Sequence, residues 1–199
     1  MKRGKLILIT GGARSGKSVF AEKLAAASGK KVIYLATARI EDEEMFQRVE
    51  RHRRRRPPEW ITIEEPLEVA GIIDENNDPG RLILVDCLAL LVTNLLFQDW
   101  DLPADEYSEF SSHDEERVLS AIRQLSRVAG EVMTDVIMVT NEVGWGLVPS
   151  YPVGRVYRDL LGLANQQVAS VADAVYLVVS GLAIEIKSLG EKNGRCGLF

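Results

Sequence analysis

Cysteine is nearly absent. The 199-residue chain has only Cys87 and Cys196, far apart and in no metal-ligand spacing, which excludes a disulfide framework and a zinc site and fits a reducing, cytoplasmic setting. No apolar stretch approaches the roughly 20 residues needed to span a bilayer, so membrane insertion is not expected. Lys2, Arg3 and Lys5 precede a short apolar run, but that run leads into a glycine loop rather than a cleavage site and reads as a strand. Internal repeats and low-complexity segments are lacking as well. Positive charge is in deficit, with a formal net charge of -5, so general binding to nucleic acid is excluded for want of a broad basic face. Any basic patch must be local.

What is present is the balance of a globular chain, 46% hydrophobic and 27% charged, at a length that suits one domain over residues 1–199. Continuous apolar runs at 5–10, 32–36, 81–85 and 136–140 predict strands of the buried kind, and 60–63 is a short β-rich run. Helices are predicted at 17–28, 41–52, 67–73, 88–97, 114–133 and 156–171; Val118, Ile122, Leu125 and Val128 give the fifth its apolar stripe. Runs at 175–179 and 183–187, joined at Ser180 and Gly181, predict an antiparallel hairpin at the edge of a mostly parallel sheet. The segment 98–113 is acidic, aromatic and broken by Pro103, and predicts an exposed excursion with His113 as a loop or helix-start residue.

The chemistry begins at Gly11, Gly12, Ala13, Arg14, Ser15, Gly16, Lys17 and Ser18. This is G-x-x-x-x-G-K-[ST] between an apolar strand and a helix, the context that gives the pattern its meaning. Glycines let backbone N–H groups turn inward around phosphate, Lys17 reaches the β and γ phosphates, and Ser18 can ligate Mg²⁺. The competing reading is a glycine-rich turn without a ligand. The run at 81–85 ends in Asp86, a carboxylate suited to holding Mg²⁺ beside such a loop, although acidic residues also end strands as solvent caps. Arg48, Arg51, Arg53, Arg54, Arg55 and Arg56 surround His52 at a helix C-terminus. Such a run is either a solvated, dipole-compensating face or a phosphate clamp. Among guanidinium groups His52 is disfavoured as a cation, which keeps its nucleophilic neutral form at neutral pH.

The chain resembles the bifunctional adenosylcobinamide kinase/adenosylcobinamide-phosphate guanylyltransferases of cobalamin biosynthesis. Residues 10–18 (TGGARSGKS), 34–37 (YLAT), 42–45 (DEEM), the His52 region, 86–88 (DCL), 92–97 (VTNLLF), 140–149 (TNEVGWGLVP), 158–167 (RDLLGLANQQ) and 178–181 (VVSG) carry the resemblance. It implies an α/β fold of the P-loop NTPase, RecA-like type: a mostly parallel sheet flanked by helices, with the antiparallel C-terminal hairpin at its edge. It also implies two reactions, phosphorylation of the aminopropanol hydroxyl of adenosylcobinamide and transfer of GMP from GTP to adenosylcobinamide phosphate through GMP carried on His52. Arg51 stands where the family often has a further histidine. The implied catalytic residues are His52 and Lys17. The implied nucleotide site comprises the P-loop, Ala36, Thr37, Ala38, Arg53, Arg54, Arg55, Arg56, Glu64 and Asp86, with Ser18 and Asp86 holding Mg²⁺ and GTP or ATP as phosphate donor. Glu64 is expected either as a buried carboxylate reading the guanine edge or as a salt-bridge partner of the arginines. Asn141 and Glu142, at a strand end, either orient a hydroxyl or metal or simply form a turn. A homo-oligomer, a trimer, is further implied. The alternatives are a P-loop small-molecule kinase with a structural His52, and a regulatory NTPase.

Overall fold

The computed structural model describes residues 2–39, 43–98 and 112–190, apart from the side chains of Glu44, Met45, Arg48, His52 and Ser112. Asp42, Cys196 and most of the expected excursion at 98–113 lie outside the described residues. In chain order the elements are β1 (Leu6–Thr10), α1 (Lys17–Ala27), β2 (Lys31–Ala36), α2 (Glu43–Arg53), β3 (Ile61–Glu64), α3 (Val69–Glu75), β4 (Arg81–Asp86), α4 (Leu88–Leu96), α5 (Ser112–Glu131), β5 (Asp135–Val139), α6 (Pro152–Val171), β6 (Ala174–Val179) and β7 (Leu182–Glu185).

The strands form one seven-stranded sheet in the order β3-β2-β4-β5-β1-β6-β7. Every neighbouring pair is parallel except β6 and β7. Burial explains the arrangement. Leu6, Leu8 and Ile9 of β1, Leu82 to Val85 of β4 and Val136 to Val139 of β5 are almost wholly removed from water, so these strands need cover on both faces, which crossover helices supply. Because the strands run the same way, their C-terminal ends share one edge. β5 lies between β1 and β4, so the chain segments leaving β1, β4 and β5 meet there, in the crevice where open α/β sheets hold ligands.

The expected hairpin is present. Its turn residues Ser180 and Gly181 have φ of 52° and 81°, the primed geometry that matches strand twist. β7 ends at Glu185 rather than 187. Lys187 instead turns its ammonium onto the carbonyls of Ala169, Ser170 and Ala172 at 2.6–3.0 Å, closing the C-terminus of α6 with a cation as the helix dipole favours. α6 begins at Pro152, ahead of the predicted 156, because proline is well placed in a first helical turn. α5 begins at Ser112, so exposed His113 is a helix-start residue. Among the described residues no helix is long and apolar enough to cross a membrane.

The start of the chain is tied to the sheet by charge. Arg3 makes two hydrogen bonds to Asp173, at 2.9 and 2.7 Å, and Asp173 also accepts the Leu6 N–H at 2.8 Å. The Arg3 hydrogen bond, against a smaller opposing effect of burial, lowers the Asp173 pKa below its ordinary value. A depressed carboxylate contributes stability above its unfolded-state pKa and loses it as pH falls through the folded one. Asp173→Asn should therefore lower the urea midpoint at neutral pH, and the gap from the parent should close as pH drops below about 4. Denaturation curves across that range check it; a gap independent of pH would contradict the assignment.

Candidate active site

The loop leaving β1 can be adopted because of two glycines. Gly11 has φ 150°, and a Cβ there would lie 2.3 Å from the Val178 carbonyl oxygen; Gly16 has φ 102° and lies against Gly181. Three backbone hydrogen bonds fix the curl: Ser15 N–H to Gly12 O at 3.3 Å, Gly181 N–H to Ser15 O at 2.8 Å and Glu142 N–H to Gly11 O at 3.0 Å. Exposed Arg14 also has a positive φ, 55°. No side chain caps α1 at Gly16, so its first N–H groups and the positive end of the helix dipole are offered to an anion. Lys17 is 7% exposed and donates to Gly12 O at 2.7 Å, while Ser15 Oγ is buried without a hydrogen-bond partner. Gly11 to Ser18 thus combine inward N–H groups, an ammonium and hydroxyls around one turn.

Asp86 ends β4 opposite Ala36 of β2, and Ala36 pairs on its other side with Glu64 of β3. Tyr34 is 2% exposed. A buried phenol needs an acceptor, and Tyr34 Oη donates to Asp86 Oδ2 at 2.7 Å. Burial first, and then the charge of Asp86, push the Tyr34 pKa up strongly, so the phenol stays protonated and remains a donor. Ser18 and Asp86, both half-buried, are hard oxygen donors of the kind Mg²⁺ prefers, so the donor chemistry fits that ion. Thr37 is wholly buried. Its Oγ1 donates to Cys87 O and accepts the Cys87 N–H, both at 2.8 Å, and Asn94 Nδ2 spans Thr37 O and Pro66 O at 2.7 and 2.9 Å. Ala36, Thr37 and half-buried Ala38 are thereby locked beside Asp86. The Cys87 thiol, pushed up to about 12 mainly by burial, is not a reactive group.

The basic run divides. Arg53 and Arg54 point outward and make long contacts with Glu50, 3.9 and 4.0 Å, which at such exposure contribute little. Arg55 and Arg56 turn toward the sheet. Arg55 lies 3.8 Å from Glu22 of α1, and the Arg56 guanidinium sits 3.3 Å above the Tyr34 ring. Burial raises the Glu22 pKa against the lowering effect of Arg55. The arginine run is thus neither one solvated face nor one clamp. His52 lies in α2 just before it, and its side chain is outside those described. Glu64 departs from expectation: it is exposed, because β3 is the outermost strand, and no ion pair joins it to an arginine among the described residues. Glu142 accepts the Gly144 N–H at 2.7 Å, the turn-forming alternative, and Asn165 braces the segment through Thr140 Oγ1 and Asn141 O.

Sequence reasoning missed Tyr34, Glu22 and Asn94 as parts of this site. A signal existed for each: a phenol inside a fully apolar strand, and a lone acid and a lone amide on the buried sides of helices, must find polar partners. For the loop, Gly11→Ala should cost at least about 2 kcal/mol of folding stability. Gly12→Ala, whose added Cβ meets nothing within 4 Å, should stay within about 0.5 kcal/mol. Chemical denaturation of the two variants checks the contrast, and equal losses would contradict it.

Three similarities bear on this geometry. The bifunctional adenosylcobalamin biosynthesis protein CobU of Escherichia coli (strain K12) is 41% identical over 183 residues, covering 92% of this chain and 99% of that protein. The bifunctional adenosylcobalamin biosynthesis protein CobP of Pseudomonas aeruginosa is 42% identical over 180 residues, 90% of this chain and 96% of its own. A solved ATPase from the type III secretion system of pathogenic bacteria superposes with a TM-score of 0.56 at 14% identity, covering 96% of this chain and 61% of that one, a likeness of fold and consistent with a P-loop NTPase architecture. The family described as cobinamide kinase / cobinamide phosphate guanyltransferase matches residues 7–186, and the chain belongs to that family.

Proposed function

We propose that this protein phosphorylates the aminopropanol hydroxyl of adenosylcobinamide and then transfers GMP from GTP to the resulting phosphate, giving adenosylcobinamide-GDP and pyrophosphate. The observation that carries the reading, beyond family membership, is the docking of the basic run onto the phosphate end of the sheet, through Arg55 beside Glu22 and Arg56 over the ring that holds Asp86. One nucleotide-binding edge is thereby joined to the helix carrying His52.

In the kinase step the Gly11 to Ser18 loop wraps the phosphates of GTP or ATP and Lys17 neutralises charge on the β and γ groups, so catalysis rests on positioning and electrostatics. Ser18 and Asp86 would hold Mg²⁺, which when bound would supply further charge neutralisation. In the guanylyl step the neutral imidazole of His52 attacks the α-phosphorus. The P–N bond forms as the bond to the pyrophosphate oxygen breaks, and pyrophosphate departs. An oxygen of adenosylcobinamide phosphate then attacks the same phosphorus, the P–N bond breaks, and its electron pair returns to the ring nitrogen, so that His52, still protonated at its other nitrogen, leaves as the neutral imidazole. Arg55 and Arg56, which turn inward, supply cations along this path, with Arg53 and Arg54 exposed beside them. Ala36, Thr37 and Ala38 border the nucleotide, and Glu64, exposed at the end of β3, is open to the guanine edge from solvent.

The enzyme is read as a single catalytic domain, cytoplasmic and homo-oligomeric, a trimer by family likeness. The exposed apolar side chains of Trp145, Leu147, Val148 and Tyr151 support a surface that a partner or substrate covers. The test is turnover of adenosylcobinamide with GTP, followed by chromatography: the phosphorylated corrinoid should appear first and the GDP-linked product after it. Lys17→Ala should slow the first conversion by roughly 10²–10³-fold. A reaction that stops at the phosphate would identify a plain kinase and overturn the two-step reading.

A further inference from the structure

Tyr34 belongs to no part of the reaction just described, yet its side chain touches both Asp86 and Arg56. It sits in β2 opposite Leu84 of β4, while Asp86 lies two residues further along β4. Alternation along a strand puts Tyr34 and Asp86 on the same face, at a diagonal spacing that an aromatic side chain can bridge. The 2.7 Å bond from its hydroxyl occupies Asp86 Oδ2, which orients the carboxylate and leaves Oδ1 as the oxygen to face a ligand. Its ring carries the Arg56 guanidinium at 3.3 Å, in the range of a cation–π contact. Arg56 also reaches Thr62 Oγ1 of β3 at 3.4 Å, and its buried Nε has no hydrogen-bond partner. The guanidinium is therefore seated by the ring and keeps a donor in reserve. Nearby, Glu22 Oε1 is buried without a hydrogen bond, with Arg55 as its ion-pair partner. Asp86, Arg56 and Glu22 are thus gathered around one phenol, with Arg55 beyond Glu22.

We infer that Tyr34 is a positioning residue with two jobs: its hydroxyl sets the orientation of Asp86 for a divalent cation, and its ring seats Arg56 so that the basic run stays against the nucleotide edge. Groups that orient a ligating carboxylate typically change metal affinity or activity by 10–100-fold when lost. The inference rests on the assignment of Asp86 to the cation.

Manganese replaces magnesium as the probe, because free Mn²⁺ has an electron paramagnetic resonance signal that disappears on binding. Mn²⁺ is titrated into the full chain with a non-hydrolysable GTP analogue, for the parent, Tyr34→Phe, Asp86→Asn and the double variant. Tyr34→Phe, which keeps the ring, should weaken Mn²⁺ about tenfold. In the Asp86→Asn background it should have no further effect, since the two residues act through one bond. Tyr34→Leu, which also removes the seat of Arg56, should in addition weaken binding of the analogue itself, measured by calorimetry without metal. Equal Mn²⁺ affinity in parent and Tyr34→Phe, or independent, additive losses in the double variant, would overturn the role of Tyr34 while leaving that of Asp86 intact. Unchanged Mn²⁺ affinity in Asp86→Asn would remove the metal assignment and this inference with it.

Discussion

The loop between β1 and α1 is held by backbone groups of its neighbours, and the remainder of the site is arranged around that fact. Gly11, Arg14 and Gly16 all carry positive φ, a combination a chain segment does not keep by its own preference. It persists because Glu142 N–H, at the exit of β5, bonds Gly11 O and Gly181 N–H, in the β6–β7 turn, bonds Ser15 O. The C-terminal hairpin therefore does more than finish the sheet. Its primed turn presents an N–H to the phosphate loop, and the Val178 carbonyl packs against the place where a Gly11 side chain would be. This explains why a far-removed stretch, residues 178–181, belongs to the same functional unit as residues 10–18.

The second organising element is electrostatic. Arginines at 53–56 follow one another in sequence, but consecutive residues leaving a helix point in different directions. Two end in solvent with Glu50 and two are drawn in, Arg55 by Glu22 and Arg56 by Tyr34. Burying a carboxylate such as Glu22 is unfavourable without nearby positive charge, and Arg55 supplies it. The cluster balances itself across α1, β2, β4 and the segment after α2, so the helix that carries His52 is tied to the sheet edge beside Asp86 and the helix that follows the phosphate loop.

Much of this was legible in the sequence. The central parallel strands were readable because each is a nearly unbroken apolar run, β3 only from its short β-rich composition, and the loop because its residue types have few other uses. The hairpin was readable from Ser180 and Gly181. What was not legible depends on long-range geometry. That β5 would lie between β1 and β4 is a matter of pairing, which apolar runs of similar composition do not encode locally. Glu64 is exposed because β3 became the outermost strand, and the sheet closed at Glu185 because Lys187 found the end of α6. The inward turn of Arg55 and Arg56 required Glu22 and Tyr34, two residues that look ordinary in their own segments.

The central claim is that one nucleotide edge performs chemistry at two phosphorus atoms, with His52 as the carrier. Intact-protein mass spectrometry after incubation with GTP and Mg²⁺, without corrinoid, tests it most directly. The mass should rise by one GMP, the adduct should map by peptide sequencing to His52 and disappear in acid, and His52→Ala should show none. An unmodified parent protein, or an adduct that survives His52→Ala, would contradict the account.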